Sequence, residues 1–473
     1  MPTESLGPVR DPNFPEYAYA KNRMVYAYKE ARKGSGVTAK LFLGEWVKIK
    51  DLQAQDWIPV TFRGGEGYVR ERELTRDRHL EIFFIDVDQG DSILMQTPDD
   101  RRILVDGGKT VDAHQFIRNK YRLDKRDNYI DFEAIVATHS DNDHTQGLIK
   151  ILKDKKIVVK RIFHNGLFRH KAKDNDPGPH REGKVFTIFD GFPTRGQRAH
   201  MKALMNRFID AALEAKGRLP ECLQKMKENN PRRWHNRMDF NPDHFVFKRL
   251  DTSSRYLPPF DDQNPYLTIS VLWPHVRREG GNSYLPWYGN AGYTVNGNSV
   301  VLQIQHGANR ILLTGDLNDA SMPDIIEMYE QVEGNPLLTD VYKAAHHGSQ
   351  HFTLDFLKKM QANAAVISSG DQKYDDHGHP RAVLLGTITR YSRVARPAIF
   401  STELAACFQK LSSKELNDFK KGKELYERAI QGIIHLRSNG RDMYLGSVFG
   451  RHAGQDQLSN VKWDWDIWPE ETA

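Results

Sequence analysis

Thr138-His139-Ser140-Asp141-Asn142-Asp143-His144 is the stretch on which the reading of this chain turns. Ala134-Ile135-Val136-Ala137 leads into it and reads as a short buried strand. Beyond Gly147, the apolar residues Leu148, Ile149, Ile151 and Leu152 fall at helical spacing. Two imidazoles and two carboxylates therefore share one tight loop between a strand and a helix. Carboxylates held this close repel one another unless a cation lies between them. The plainer alternative is a polar turn with an Asp helix cap. Such a turn has no need of His139 and His144 spaced five apart with two Asp between them.

Upstream, Leu80 to Val87 is an apolar strand that turns at Asp88-Gln89-Gly90-Asp91-Ser92. Ile93 to Gln96 and Ile103 to Val105 are two further strands, joined by a turn at Pro98-Asp99-Asp100. Asp106-Gly107-Gly108 ends the second, and a helix is expected from about Ala113 to Tyr121. Strands alternating with helices in this way imply an α/β layered fold. Asp106 sits at a strand end, where it can hydrogen-bond the ligand loop and orient it.

Downstream, other strands end in groups of the same kind. Arg310 to Thr314 leads to Asp316, and Val341 to Ala345 leads to His346-His347-Gly348-Ser349. Helices are expected at Ser321 to Val332, at about Arg381 to Tyr391 and at Lys414 to Ile430. Gly378-His379-Pro380 is a loop that should open onto the same sheet edge. His139, Asp141, Asp143, His144, Asp316 and either His346 or His347 make six N/O ligands. Six such donors divide naturally over two divalent ions, with Asp316 placed to bridge them, and such a pair can clamp a phosphate. The carboxylates favour hard ions such as Mn, while Zn stays open. His164, His275 and His306 read as surface or hydrogen-bonded histidines.

Length and composition bound the rest. At 473 residues, two or three units are expected, and 39% hydrophobic residues suffice for a core. Cys222 and Cys407 are the only cysteines, which excludes a disulfide scaffold and fits a reducing, cytoplasmic setting. Residues 1–15 show no signal-peptide core, and no apolar run approaches the roughly 20 residues of a membrane span. Residues 1–21 read as a loose arm, and 448–473, with Trp463, Trp465 and Trp468, as an aromatic and acidic tail.

The stretch from 160 to about 265 breaks the strand–helix rhythm and reads as an insertion, with a helix over about Ala199 to Lys227. Residues 160–255 carry 21 Lys+Arg against 11 Asp+Glu, a surplus of 10 that exceeds the +6 of the whole chain. With Pro231-Arg232-Arg233-Trp234-His235 it suits a polyanion such as nucleic acid, although a solvated basic lobe would look the same.

Two resemblances follow from these motifs. Residues 22–76, with Trp57-Ile58-Pro59-Val60, Gly64-Gly65-Glu66-Gly67-Tyr68-Val69 and Leu74, resemble the bacterial SH3-like β-barrel, which implies docking of a protein partner. Residues 80–447, and most specifically 80–395, resemble the metallo-β-lactamase fold. Its His-x-His-x-Asp-His loop here has Asp141 in place of the second His. That change, with Phe84 to Ser92, Asp106 to Gly108, Asn298 to Leu302, Leu313 to Asp316 and Ala345 to Ser349, is similar to the ComEC-like hydrolase group. One departure is Asp88, where that group usually has Gly before the Gln-Gly-Asp-Ser turn.

The resemblance implies an αββα four-layer sandwich with two divalent metal ions, Zn or Mn. His139 and Asp141 would hold one ion and Asp143 and His144 the other. Asp316 would bridge and His347 would complete the shell, though His346 and His347 could exchange roles. The usual third His of the first ion has no match; Asn296 or Asn298 falls near its place. Asp143, His346 and His379 are the candidate catalytic groups. The implied activity is cleavage of phosphodiester bonds in DNA or RNA; in a departure from the competence-type members, no membrane channel is attached, so no part in DNA transport is expected. A small phosphoester or lactone hydrolase, and a non-catalytic metal-bound recruiting protein, are the alternatives.

Overall fold

The computed structural model describes residues 17–62, 64–173, 176–229, 240–370, 378–406, 427–430, 432–447 and 451–452. Two sheets carry the molecule. The first has eight strands in the order Val246–Arg249, Arg161–His164, Ala134–Ala137, Arg102–Val105, Ile93–Gln96, Leu80–Phe84, Ile434–Ser438 and Met443–Ser447. The four strands from Arg102–Val105 to Val246–Arg249 run parallel, and the rest pair antiparallel. The second sheet has six strands, ordered Thr268–Trp273, Val301–His306, Asn309–Leu313, Val341–Lys343, Ala364–Ile367 and Ala398–Ser401. Its last four run parallel.

Leu80–Phe84 and Ala134–Ala137 are buried at every position because both faces of their sheet are covered. Between the sheets lies one core, with Ile82, Phe84, Ile103 and Val136 against Ile269, Leu302, Ile311 and Val366. Phe116, Ile117, Leu148, Ile151, Phe208 and Ile209 bring three helices onto the outer face of the first sheet. Ile325, Phe356, Leu357, Leu384 and Ile388 do the same outside the second. The layers are therefore α, β, β, α, as expected.

The expected insertion is less separate than its composition implies. Arg161–His164 and Val246–Arg249 lie inside the expected bounds yet are strands of the eight-stranded sheet. The Ala203–Asn229 helix packs on the Asn142–Lys153 helix through Met205, Phe208, Ile209 and Ala212, so it belongs to the outer layer. Its start, expected near 199, falls at Ala203, after a separate short turn of helix at Arg195–Arg198 capped by Thr194 and Gln197.

Tyr17–Ala20, inside the expected arm, is a strand; residues 1–16 lie outside the described residues. It joins a seven-stranded antiparallel sheet ending at Thr75. Alternation in Met24–Tyr28 and Trp57–Phe62 leaves one face around Val25, Ala27, Ile58, Val60 and Phe62 buried. The helix expected over 414–430 is corrected at its end. Glu427–Ile430 is a strand paired with Glu403–Ala406, and residues 414–426 lie outside the described residues. Four residues show no period of their own, so sheet pairing overrode the helix propensity of Glu427, Arg428 and Ala429. The 231–235 cluster and the 453–473 tail also lie outside the described residues. No helix among the described residues is long and apolar enough to cross a membrane.

Candidate metal centre

The parallel strands of both sheets end at one edge, where an α/β layering leaves room for a site. Ala134–Ala137 delivers His139 to His144 there, and Asn309–Leu313 delivers Asp316. Val341–Lys343 delivers His346 and His347 through a tight turn in which both have positive φ, 48° and 54°. Two consecutive non-glycine residues in the left-handed region store strain, as functional turns often do.

Three imidazoles are fixed through Nδ1. His144 Nδ1 donates to Asp106 Oδ2 at 2.8 Å. Thr138 gives its hydroxyl proton to Asp106 at 2.6 Å and therefore accepts from His139 Nδ1 at 3.1 Å. His347 Nδ1 donates to the Ser368 carbonyl at 3.1 Å. Each Nε2 is thus left to face inward, the arrangement in which a histidine serves as a metal ligand. His139 Nε2 is buried and has no hydrogen-bond partner.

The inward atoms are spaced for an ion. His144 Nε2 stands 3.3 Å from Asp316 Oδ1 and 3.4 Å from His347 Nε2. His347 Nε2 stands 3.3 Å from Asp316 Oδ2 and 3.4 Å from Asp143 Oδ2. Donors lying about 2.0–2.2 Å from one tetrahedral ion are roughly 3.3–3.6 Å apart, a spacing that His144, Asp316 and His347 share and that Asp143 meets at His347. On the other side, Asp316 Oδ2 is 3.9 Å from both His139 Nε2 and His346 Nε2, and His139 Nε2 is 3.9 Å from Asp141 Oδ2. This second set is more open.

Electrostatics agree with the spacing. Burial would depress His144 and His347, but Asp316 beside both, with Asp106 and Asp143, raises each well above the ordinary imidazole value. Burial would raise Asp316, yet the facing His347, His144 and His346 hold it far below the usual carboxylate range. Burial pushes His346 down to about 4, so it is neutral near pH 7. Asp141 stands at the N-cap of the Asn142–Lys153 helix, but its side chain makes no capping hydrogen bond, which removes the plain-cap reading.

All of the expected residues meet here. His139, His144, Asp316 and His347 are buried, while Asp143 is half-buried and lines the opening with Asp141, His346 and His379. The opening is a cavity of about 470 Å³. Of the two asparagines, Asn298 is committed to the carbonyls of Pro286 and Thr294. Asn296 lines the cavity, 3.5 Å from His346, with Oδ1 buried and unpartnered. Asp88 has φ 58° and does not line the cavity; it occupies a backbone conformation suited to Gly. His164 and His306 are buried, and His275 bonds Thr252; none touches the centre.

Sequence reading missed Asp91 and Arg169. Asp91 groups with His144, Asp316 and His347 as a potential ligand. However, it lies on the Nδ1 side of His347, 3.5 Å away, and is ion-paired with Lys343, so it orients His347 from behind. Its signal was present in Gln89-Gly90-Asp91-Ser92, read as a turn and as part of a family motif but with no role given to Asp91. Gly90 permits that turn to close, since a Cβ there would lie 1.9 Å from the Asp143 carbonyl oxygen.

The four layers, with these side chains at their shared edge, have the architecture of the metallo-β-lactamase fold. Residues 85–203 match the family described as Metallo-beta-lactamase superfamily. The chain is 32% identical to ComE operon protein 3 of Bacillus subtilis (strain 168) over 103 residues. That stretch is 21% of this chain and 12% of that protein. Among solved structures, Zn(2+)-bound PqqB from Methylobacterium extorquens is similar at 10% identity and TM-score 0.31, covering 66% of this chain and 84% of that one. CmlA, a diiron β-hydroxylase from Streptomyces venezuelae, is similar at 11% identity and TM-score 0.35, covering 69% of this chain and 53% of that one.

Proposed function

We propose that the chain is a metal-dependent hydrolase that cleaves phosphodiester bonds, with DNA or RNA as substrate. One observation carries this reading: two donor sets share Asp316 and open on a cavity whose rim bears Lys109, Arg169 and Lys202. Divalent ions there, Zn or Mn, would activate water and neutralise charge on the phosphoryl oxygens. His139 and Asp141 would hold one ion, Asp143, His144 and His347 the other, and Asp316 both. His346, neutral near pH 7 and at the cavity wall, is placed to accept or pass a proton at the reacting phosphate. His379, whose ring lies 6.0 Å from that of His346, extends the same wall. Lys109 at the rim would add sequence-independent attraction to a phosphate chain, weakening as salt rises, whereas Arg169 and Lys202 are paired with Asp141 and Asp176.

Labelled single- and double-stranded DNA and RNA, incubated with Mn or Zn, test this reading. Cleavage is expected, with loss in Asp143→Ala and His144→Ala variants. A cavity of about 470 Å³ also lies in the size range of small-molecule sites, which favours a small phosphoester as the second reading. Turnover of a small phosphodiester with every polymer left intact would overturn the nucleic-acid assignment in its favour. The N-terminal sheet, with Tyr26 exposed and the Tyr28–Trp57 pair in edge contact, supports a protein-docking role like that of SH3-like modules.

A further inference from the structure

The ligand loop contains a carboxylate, Asp141, whose orientation is set from outside the loop. A histidine ligand is fixed by its second ring nitrogen, as His139, His144 and His347 are here. A carboxylate is fixed in the same way, by a hydrogen bond to the oxygen turned away from the ion. Arg169 provides it. Its Nε and Nη2 both contact Asp141 Oδ1, at 2.7 and 2.5 Å. Asp141 Oδ2 remains turned to His139 Nε2.

Arg169 is itself held on both sides. Its Nη1 lies 3.3 Å from Asp176 Oδ2, and Lys202 Nζ lies 2.7 Å from the same oxygen. Its carbonyl accepts from the Lys202 amide at 2.9 Å, while the Lys171 amide donates to the His200 carbonyl at 2.8 Å. His170 and Met201 pair between these two bonds as an antiparallel bridge. The guanidinium is thus fixed to a two-chain ribbon just ahead of the Ala203–Asn229 helix.

We infer that Arg169, braced by Asp176, is a positioning residue that presents Asp141 Oδ2 to the ion beside His139, so that the basic segment governs how firmly that ion is held. This rests on the metal reading above. The open 3.9 Å spacing on the His139 side makes that ion the one dependent on an external brace.

The test uses the full chain stripped of metal and titrated with Mn²⁺ by calorimetry, alongside Arg169→Ala and Arg169→Lys. Wild type is expected to show two binding events, and His139→Ala identifies which belongs to that side. Arg169→Ala should weaken that event by about 10–100-fold and leave the other within about twofold. Arg169→Lys should recover part of the loss, since a point charge replaces a fork. The metal-free unfolding temperature of each variant separates positioning from folding. Equal weakening of both events with a lowered unfolding temperature would overturn the inference, and so would two wild-type events in Arg169→Ala. A wild-type chain that takes up no Mn²⁺ would instead overturn the metal reading on which it rests.

Discussion

Asp106 touches no cavity surface, yet three donors converge on it: the Thr138 amide, the Thr138 hydroxyl and His144 Nδ1. Replacing it with Asn keeps the size but removes the charge that selects the tautomer of His144. Asp106→Asn is expected to lower metal affinity or activity by about 10–100-fold, read by metal titration beside turnover. Protons bear on the same residues. His144 and His347 are raised well above the ordinary imidazole value and hold their protons near pH 7 in the metal-free chain. An ion must displace those protons, so loading should release roughly one per imidazole and weaken as pH falls. Calorimetry in buffers of different ionisation enthalpy measures the release; none would contradict the inward-facing Nε2 geometry. At this scale the sequence was highly legible, because His139 to His144, Asp316 and His347 each end a strand whose apolar run is visible. Asp91 and Arg169 were not. Their roles depend on what lies opposite, Lys343 and His347 for one and Asp141 for the other.

The Asn142–Lys153 helix reaches the site only because Gly147 allows it to press on the Asp106-Gly107-Gly108 turn. A Cβ at Gly147 would stand 1.8 Å from the Gly107 carbonyl oxygen, and the Gly107 amide donates to the His144 carbonyl at 2.8 Å. Gly147→Ala therefore forces the helix away from the turn. The expected cost is about 1–3 kcal/mol, seen as a lower denaturant midpoint at unchanged slope, with weaker metal binding. Gly147 was visible in sequence only as a pause before the apolar helix face. Long periodic elements were read within a few residues, as in Ala382–Tyr391 against the expected 381–391. Short ones were not. The Ala291–Gly297 helix that carries Asn296, and the strands Arg277–Glu279 and Asn282–Pro286, give too few turns or alternations to show a period.

Across the whole molecule, charge composition was the least faithful guide. The basic surplus of residues 160–255 pointed to an insertion suited to a polyanion, but apolar residues on one face of Ala203–Asn229 make that helix part of the outer layer. Three histidines away from the centre set an acid limit on the fold. Burial lowers His164 from its ordinary 6.5 to about 3, and His79 and His306 to about 4. Neutral in the folded chain, they become protonated first in the unfolded one. The stability present above pH 6.5 is therefore lost as pH falls towards those folded values. Each contributes a slope of up to about 1.4 kcal/mol per pH unit. Unfolding temperature should drop steeply between pH 6.5 and 4, and His164→Phe should flatten that drop; a flat profile in wild type would refute it. The donor set has a mechanical aspect as well. His139 to His144 hang from the eight-stranded sheet, while Asp316 and His347 hang from the six-stranded one. An ion held among them is a rivet through the seam between two half-folds, joining groups more than 170 residues apart along the chain. At a thousand times its dissociation constant it should add about 4 kcal/mol to the folded state. The melting curve of this chain would then serve as a gauge of how many ions it carries.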